Sequence, residues 1–250
     1  MKQEIKVFDD EALLVWHLAN EFKQASKAAK KKDYVLNIVL SGGKTPKIFF
    51  QKLTEEHTRK DIQWSHLRLF WGDERLVAPD HPDSNYGMTY KTLLSKVSIP
   101  QSHIHRIMGE SHSEQELKRY AEEIIKYVPA DNTKLPIFDW IFLGIGTDGH
   151  TASIFPKQRL DTPYKGICAL AHHPKSGQKR ITLTMDVLSN AKRISFLVTG
   201  KSKARVIAAI LNATARSKYY PAAQVKPASG ALEWYLDRPA ASVFFGKLSY

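Results

Sequence analysis

FDWIFLGIGTDGHTASIFP, residues 138–156, is the stretch whose reading decides the fold. Trp140, Ile141, Phe142 and Leu143 form a short continuous apolar run, the pattern of a strand buried on both faces. Gly144, Gly146 and Gly149 then fall within six residues, with Asp148 among them and His150 directly after. Glycine at that density lets a backbone turn sharply and approach a ligand closely, at an entropic cost that a mere connector does not require. Thr151 or Ser153 caps a following turn, and Pro156 closes the segment. In open parallel sheets, ligands bind at the carboxyl ends of strands. Taken alone, a DGH triplet is more often a glycine turn with a solvated histidine, so its meaning depends on its neighbours.

Upstream, Asp9 or Asp10 caps a helix carrying Leu13, Leu14, Trp16, Leu18 and Phe22, which fades into lysines near residue 32. Residues 34–40 (YVLNIVL) follow as a strand, then SGGKTP at 41–46. Pro46 suits the first turn of a helix capped by Thr45, an order that aims free main-chain N–H groups at an anion. The spacing is neither that of a Walker loop nor GxGxxG. Residues 67–71 (LRLFW) make another strand, ending at Asp73, Glu74 and Arg75; Ser84, Asn85 and Tyr86 open a helix to Leu94. Ser113 and Glu116 form a capping box for a helix to about Tyr127.

Downstream of the central stretch, residues 166–170, 181–185 and 194–199 have strand character. A polar loop with His172, His173, Lys175 and Lys179 separates the first two, and the third ends at Gly200 before a helix carrying Lys203. Residues 232–236 read as a strand or a helical turn, followed by Asp237, Pro239 and a short tail. Strands alternate with helices, without repeat or linker, which predicts an α/β fold: a Rossmann-type, mostly parallel sheet with helices on both faces, as a single domain over residues 1–250.

Composition bounds the function. Hydrophobic residues are 43% and charged residues 25%, ordinary for a globular protein. No apolar run approaches membrane-spanning length, and the acidic N-terminus is wrong for a signal peptide. One cysteine excludes an intrachain disulfide and does not suggest a metal site. A cytoplasmic enzyme is therefore expected. The net charge of +12 fits nucleic acid, anionic membrane or phosphorylated metabolites alike. Its clearest cluster, Lys27, Lys30, Lys31 and Lys32, ends a helix, and no aromatic-basic interleaving of the kind that stacks bases appears.

The strand ends at Ser41–Thr45, Asp73–Arg75, Asp148–His150 and Gly200–Lys203 all fall on one edge of a parallel sheet. Arg75 and Lys203 beside the Gly42–Gly43 turn, with hydroxyls at Ser41 and Thr45, make a receptor for a phosphate dianion. His150 is suited to take a proton from water, and Asp148 to hold its ring and tautomer. Taken singly, each has a plainer role: Arg75 pairing with Asp73 or Glu74, Lys203 a solvated first-turn lysine.

SGGKTP, GDERLVAPDHPDSNYGM at 72–88, LGIGTDGHTASIFP, KRITLTMDVLSNAKRISFLVTGKSKA at 179–204 and the PAAQV and LEWYLD pieces together resemble the 6-phosphogluconolactonases, within the wider glucosamine-6-phosphate isomerase/deaminase-like group. They span nearly the whole chain in the family's order. TASIFP after the DGH, where deaminases resemble IAFNEP, and DER rather than DEY, point to the lactonase branch. The resemblance implies a NagB-like fold and hydrolysis of 6-phospho-D-glucono-1,5-lactone to 6-phosphogluconate in the oxidative pentose phosphate pathway. It implies no metal or organic cofactor. The expected partner is the small sugar-phosphate lactone, with no nucleic acid or membrane, the chain being a monomer or weak homodimer. Carried over, His150 activates water and Arg75 and Lys203 hold the phosphate with the turn of Ser41, Gly42, Gly43 and Thr45. Asp73 and Asp148 support, and Arg180 is a further substrate contact. Two departures stand out: Lys44 replaces a usual serine and Thr147 a common proline. The competing readings are an amino-sugar-phosphate isomerase/deaminase, which would release ammonia; a sugar-phosphate sensor without turnover; and a nucleic-acid binder, whose DNA retention would depend on salt.

Overall fold

The computed structural model describes residues 2–227 and 229–245. Its strands are β1 (Lys2–Phe8), β2 (Leu36–Leu40), β3 (Leu67–Trp71), β4 (Asp73–Arg75), β5 (Ile104–His105), β6 (Trp140–Leu143), β7 (Asp161–Tyr164), β8 (Cys168–His172), β9 (Lys179–Leu183), β10 (Arg193–Val198) and β11 (Ala231–Asp237). Its helices are α1 (Glu11–Lys31), α2 (Lys44–Leu53), α3 (Glu56–Asp61), α4 (Asn85–Thr92), α5 (Ser113–Tyr127), α6 (Met185–Ser189), α7 (Ala204–Leu211), α8 (Pro221–Gln224) and α9 (Arg238–Phe245).

Among the described residues, seven strands form a sheet in the order β1-β11-β10-β6-β2-β3-β5, and every pairing in it is parallel. The buried run at 140–143 is its centre, flanked by β10 and β2. Side chains alternate across the sheet. On one face Trp140 and Phe142 meet Phe22 of α1, and Phe142 also meets Phe49 of α2. On the other, Trp234 stacks on Phe196, beside Ile210 and Leu211 of α7. Helices therefore cover both faces, and the strand ends after β2, β3, β6 and β10 share one edge, as the sequence predicts.

A second sheet was not expected. β4, β9, β8 and β7 pair antiparallel in that order, so the Asp73–Arg75 segment is a strand rather than a loop. β8 begins at Cys168, later than predicted, because Lys165 and Gly166 adopt left-handed φ values of 50° and 69° and turn the chain back from β7. Residues 232–236 belong to a strand, β11.

β1 escapes a hydropathy reading because its Lys6 turns inward to an ionic network. The Lys6 ammonium donates to Glu21 at 3.0 Å, Glu233 at 3.2 Å and the Tyr235 hydroxyl at 2.9 Å, and Arg193 joins the same carboxylates.

Helix starts are partly as predicted. Asp10 accepts from Leu13 N at 2.8 Å and Ser84 from Gly87 N at 2.9 Å. The capping box is not made: Ser113 lies inside α5, and Glu116 instead accepts from Met108 N and from Arg119. Thr45 likewise does not cap α2, which begins at Lys44 behind Gly43, two residues earlier than expected.

Glu74, only 2% exposed, fastens β4 to α4. Its carboxylate accepts from Arg75 N at 2.9 Å, Asn85 N at 2.7 Å, Tyr86 N at 2.7 Å and Ser84 Oγ at 3.1 Å. Glu74→Gln turns an NH₂ toward these donors and leaves buried N–H groups unmatched. It should destabilise the protein by about 1–3 kcal/mol, read as a lower urea midpoint at unchanged m.

Candidate active site

At the carboxyl edge of the parallel sheet lies a cavity of about 410 Å³. β2 delivers Ser41, Gly42 and Gly43 to it. Gly43 turns the chain into α2 at φ 112°, a region that favours glycine, and α2 then points its first main-chain N–H groups toward the cavity without intrahelical acceptors. Gly42 is required for space, since a Cβ there would lie 1.8 Å from Asn85 Oδ1.

The β4–β9 register sets Arg75 directly opposite Arg180. Like charges at such a position repel unless an anion or a carboxylate offsets them. Asp73, 5% exposed, supplies part of that offset: Arg180 Nη1 lies 3.9 Å from its Oδ2. The same oxygen accepts from Ser153 Oγ at 2.6 Å, and Asn85 Nδ2 donates to Asp73 Oδ1 at 3.3 Å. Arg180 Nη2 donates to Gln178, and Arg75 Nη1 to the Asp83 carbonyl. Arg75 thus pairs with neither Asp73 nor Glu74, both of which are engaged elsewhere. Burial pushes the Arg180 guanidinium below its ordinary pKa, against the pull of Asp73.

β6 delivers the catalytic candidates. His150 Nδ1 lies 2.6 Å from Asp148 Oδ1, which also accepts the His150 main-chain N–H at 3.2 Å. With Asp148 accepting, Nδ1 carries the proton and Nε2 is left as the basic nitrogen. Burial raises the Asp148 carboxyl, but His150 outweighs it through charge and both hydrogen bonds, so the net pKa lies below the usual range. The loop is held by Gly146 N to His150 O and Thr151 Oγ1 to Gly144 O, both at 2.9 Å.

β10 delivers Gly200, at φ 92°, and the half-buried Lys203. Burial lowers the Lys203 ammonium from its usual pKa and Asp148 partly offsets this. Lys203 lines the cavity, and among the described residues no carboxylate lies within ion-pair distance of it.

Of the residues singled out in the sequence, Ser41, Gly42, Gly43, Thr45, Asp73, Arg75, His150, Arg180 and Lys203 all line the one cavity. Asp148 faces a neighbouring groove with Thr147 and Tyr220 and meets the cavity through His150. Thr45 Oγ1 bonds Thr199 Oγ1 at 2.8 Å, and Thr199 donates to Glu11 at 2.6 Å. Lys44 also lines the cavity, its side chain 81% exposed and its Nζ 3.7 Å from Glu11. Asn85, Ser153 and Thr199 were missed: each is a small polar residue whose role exists only through a partner distant in sequence. Among the described residues no group of acidic, histidine and cysteine side chains is arranged to hold a metal, and no helix is long and apolar enough to cross a membrane.

Residues 9–234 match the family model for glucosamine-6-phosphate isomerases/6-phosphogluconolactonase. The chain belongs to that family. It is 42% identical over 224 residues to a 6-phosphogluconolactonase of Haemophilus influenzae, covering 90% of this chain and 94% of that one. The solved structure of devB protein superposes with a TM-score of 0.90 at 42% identity, covering 96% of this chain and 98% of that one. A monomeric glucosamine-6-phosphate deaminase of the NagB superfamily shares the fold, with a TM-score of 0.78 at 20% identity over 96% of this chain and 99% of its own. The α/β, NagB-like architecture and the family resemblance therefore both hold.

Gly146 lies against the His150–Asp148 pair. A Cβ there would lie 2.1 Å from His150 Nδ1 and 2.4 Å from Asp148 Oδ1. Both are movable side-chain ends, so Gly146→Ala should leave the fold intact and drive the pair apart. Histidine ¹⁵N NMR should then lose the single Nδ1–H tautomer of His150, while the melting temperature falls by only a few degrees.

Proposed function

We propose that the chain hydrolyses 6-phospho-D-glucono-1,5-lactone to 6-phosphogluconate, a step of the oxidative pentose phosphate pathway in the cytoplasm, without a metal or organic cofactor. The observation that carries this is the His150–Asp148 pair opening onto the same cavity as Arg75, Arg180 and Lys203. The 42% identity to a lactonase supports the choice of substrate.

His150 Nε2 takes a proton from water as the oxygen attacks the lactone carbonyl, and the ring's charge is stabilised by Asp148. The carbonyl electrons move to its oxygen, held by donors on the cavity wall. On collapse the ring C–O bond breaks, and the leaving oxygen receives the proton from the imidazolium. Arg75 and Lys203 hold the phosphate with the N–H groups of the Ser41–Thr45 turn, and Arg180 and Asp73 contact the sugar acid. Ser153, close in sequence to His150, is not among the cavity-lining residues and lies outside any GxSxG elbow; its Oγ donates to Asp73.

His150→Asn keeps bulk and some hydrogen bonding but cannot accept the proton. It should fold and bind 6-phosphogluconate near wild-type affinity, with kcat lowered by about 10²–10⁴ in a continuous acid-release assay corrected for spontaneous hydrolysis. Asp148→Asn should lose less, since the base remains. A folded His150→Asn with near-normal kcat would falsify the mechanism, and release of ammonia from glucosamine 6-phosphate would favour the isomerase/deaminase branch instead.

Arg75→Ala and Lys203→Ala should each weaken 6-phosphogluconate binding by roughly 1.5–3 kcal/mol, the worth of a hydrogen bond to a charged group. The unphosphorylated lactone should distinguish little between wild type and these variants, whereas equal losses on both lactones would assign the residues to the fold. Because burial lowers the Lys203 pKa, its charge is lost earlier than an ordinary lysine's as pH rises. Binding of 6-phosphogluconate should weaken on the alkaline side, and Lys203→Arg should abolish that limb. Lys44→Ser should be tolerated.

A further inference from the structure

The mechanism leaves one problem open. The hydrogen bond from His150 to Asp148 fixes the distance between them but not the rotation of the imidazole about the Nδ1–Oδ1 line. His150 is only partly buried and Asp148 is exposed, so solvent does not hold the ring either. A basic Nε2 that wanders cannot stay aimed at a water beside the lactone carbonyl.

The side chain that removes this freedom is Phe155. It is 2% exposed, and its ring centroid lies 4.9 Å from that of His150 at an interplanar angle of 50°. The same ring carries the Arg180 guanidinium, 5.7 Å from its centroid, and meets His173 edge-on at 5.3 Å. One aromatic plate therefore touches both the candidate base and a cation of the anion receptor. Local geometry keeps the plate in place: Ile154 N donates to Thr151 O at 2.9 Å, and Ser153 N to Thr182 Oγ1 at 3.2 Å. The first bond folds the segment after the DGH on itself, and the second ties it to β9, the strand that carries Arg180.

Resting on the assignment of His150 as the base, we propose that Phe155 is a positioning residue that sets the orientation of the His150 imidazole and couples it to Arg180. It touches no reacting atom. It acts by blocking rotation of one ring and by giving the guanidinium an aromatic face to rest on, so that substrate anion and base keep a fixed separation.

The test is a double-mutant cycle of Phe155→Leu with His150→Asn, together with Phe155→Tyr. Phe155→Leu keeps an apolar side chain but removes the plate. In the otherwise wild-type enzyme it should lower kcat by about tenfold or more and raise KM less, with Phe155→Tyr close to wild type. In the His150→Asn background Phe155→Leu should lower kcat no further, because the ring that it positions is gone. The same fold-loss in both backgrounds overturns the proposal while leaving His150 as the base. Near-normal kcat in His150→Asn alone overturns the underlying mechanism instead. Phe155→Met serves as a second apolar variant should Phe155→Leu unfold. If neither folds, Phe155 is a core residue of the fold and the proposal is wrong.

Discussion

Gly72 is the joint on which the site depends. Its N–H donates to Leu40 O at 2.9 Å, extending the parallel pairing of β3 with β2 by one residue. Its carbonyl accepts from Leu183 N at 2.8 Å, which belongs to β9 of the antiparallel sheet. The chain therefore passes from one sheet into the other with no loop between. The three residues that follow are in register with β9, and so Asp73 faces Thr182 and Arg75 faces Arg180. A loop at residue 72 would leave those side chains free to separate. The two main-chain hydrogen bonds instead hold opposed guanidiniums beside the glycine turn that follows β2.

That closeness has an electrostatic cost, and the surroundings answer it with neutral donors and one carboxylate. Asp73 is buried among Ser153, Asn85 and Arg180, so it balances the pair without neutralising both members. Asn85 can serve only because residue 42 has no side chain, which joins the β2 turn, β4 and α4 into one packed unit. Glu74 accepts from three main-chain N–H groups and the Ser84 hydroxyl of the same unit. The cluster is thus stiff and positively biased, a state that would lower the ordering cost of binding an anion.

What could be read from the sequence were features with a local signature. The buried run of β6, the glycine bend after it, the cap of α1 and the strand–turn–helix at 36–53 each follow from neighbouring residues. Together they placed the cavity-lining residues on one edge. The antiparallel sheet had no such signature: β4 spans Asp73–Arg75 alone and is a strand only because β9 pairs with it. β1 was hidden because Lys6 is satisfied by Glu21 and Glu233, the second far away in sequence. Thr45 and Glu116 failed as caps for the same reason. Thr45 was drawn to Thr199 and Glu116 to Arg119 and Met108, where tertiary partners outcompete a local bond.

The parts of the site differ in burial in a way that suits hydrolysis. Asp73 and Arg180 are buried, whereas the side chains of His150 and Asp148 are 29% and 47% exposed. A base that must draw its proton from water would work at a wall that water reaches, while Asp73 and Arg180 sit in a drier environment in which charge-assisted bonds are stronger. Asp148 ties the two together. It orients His150 directly, and its charge also favours the protonated form of Lys203, which burial alone would discharge more readily. One exposed carboxylate thus bonds His150 at Nδ1 and adds a favourable charge near Lys203.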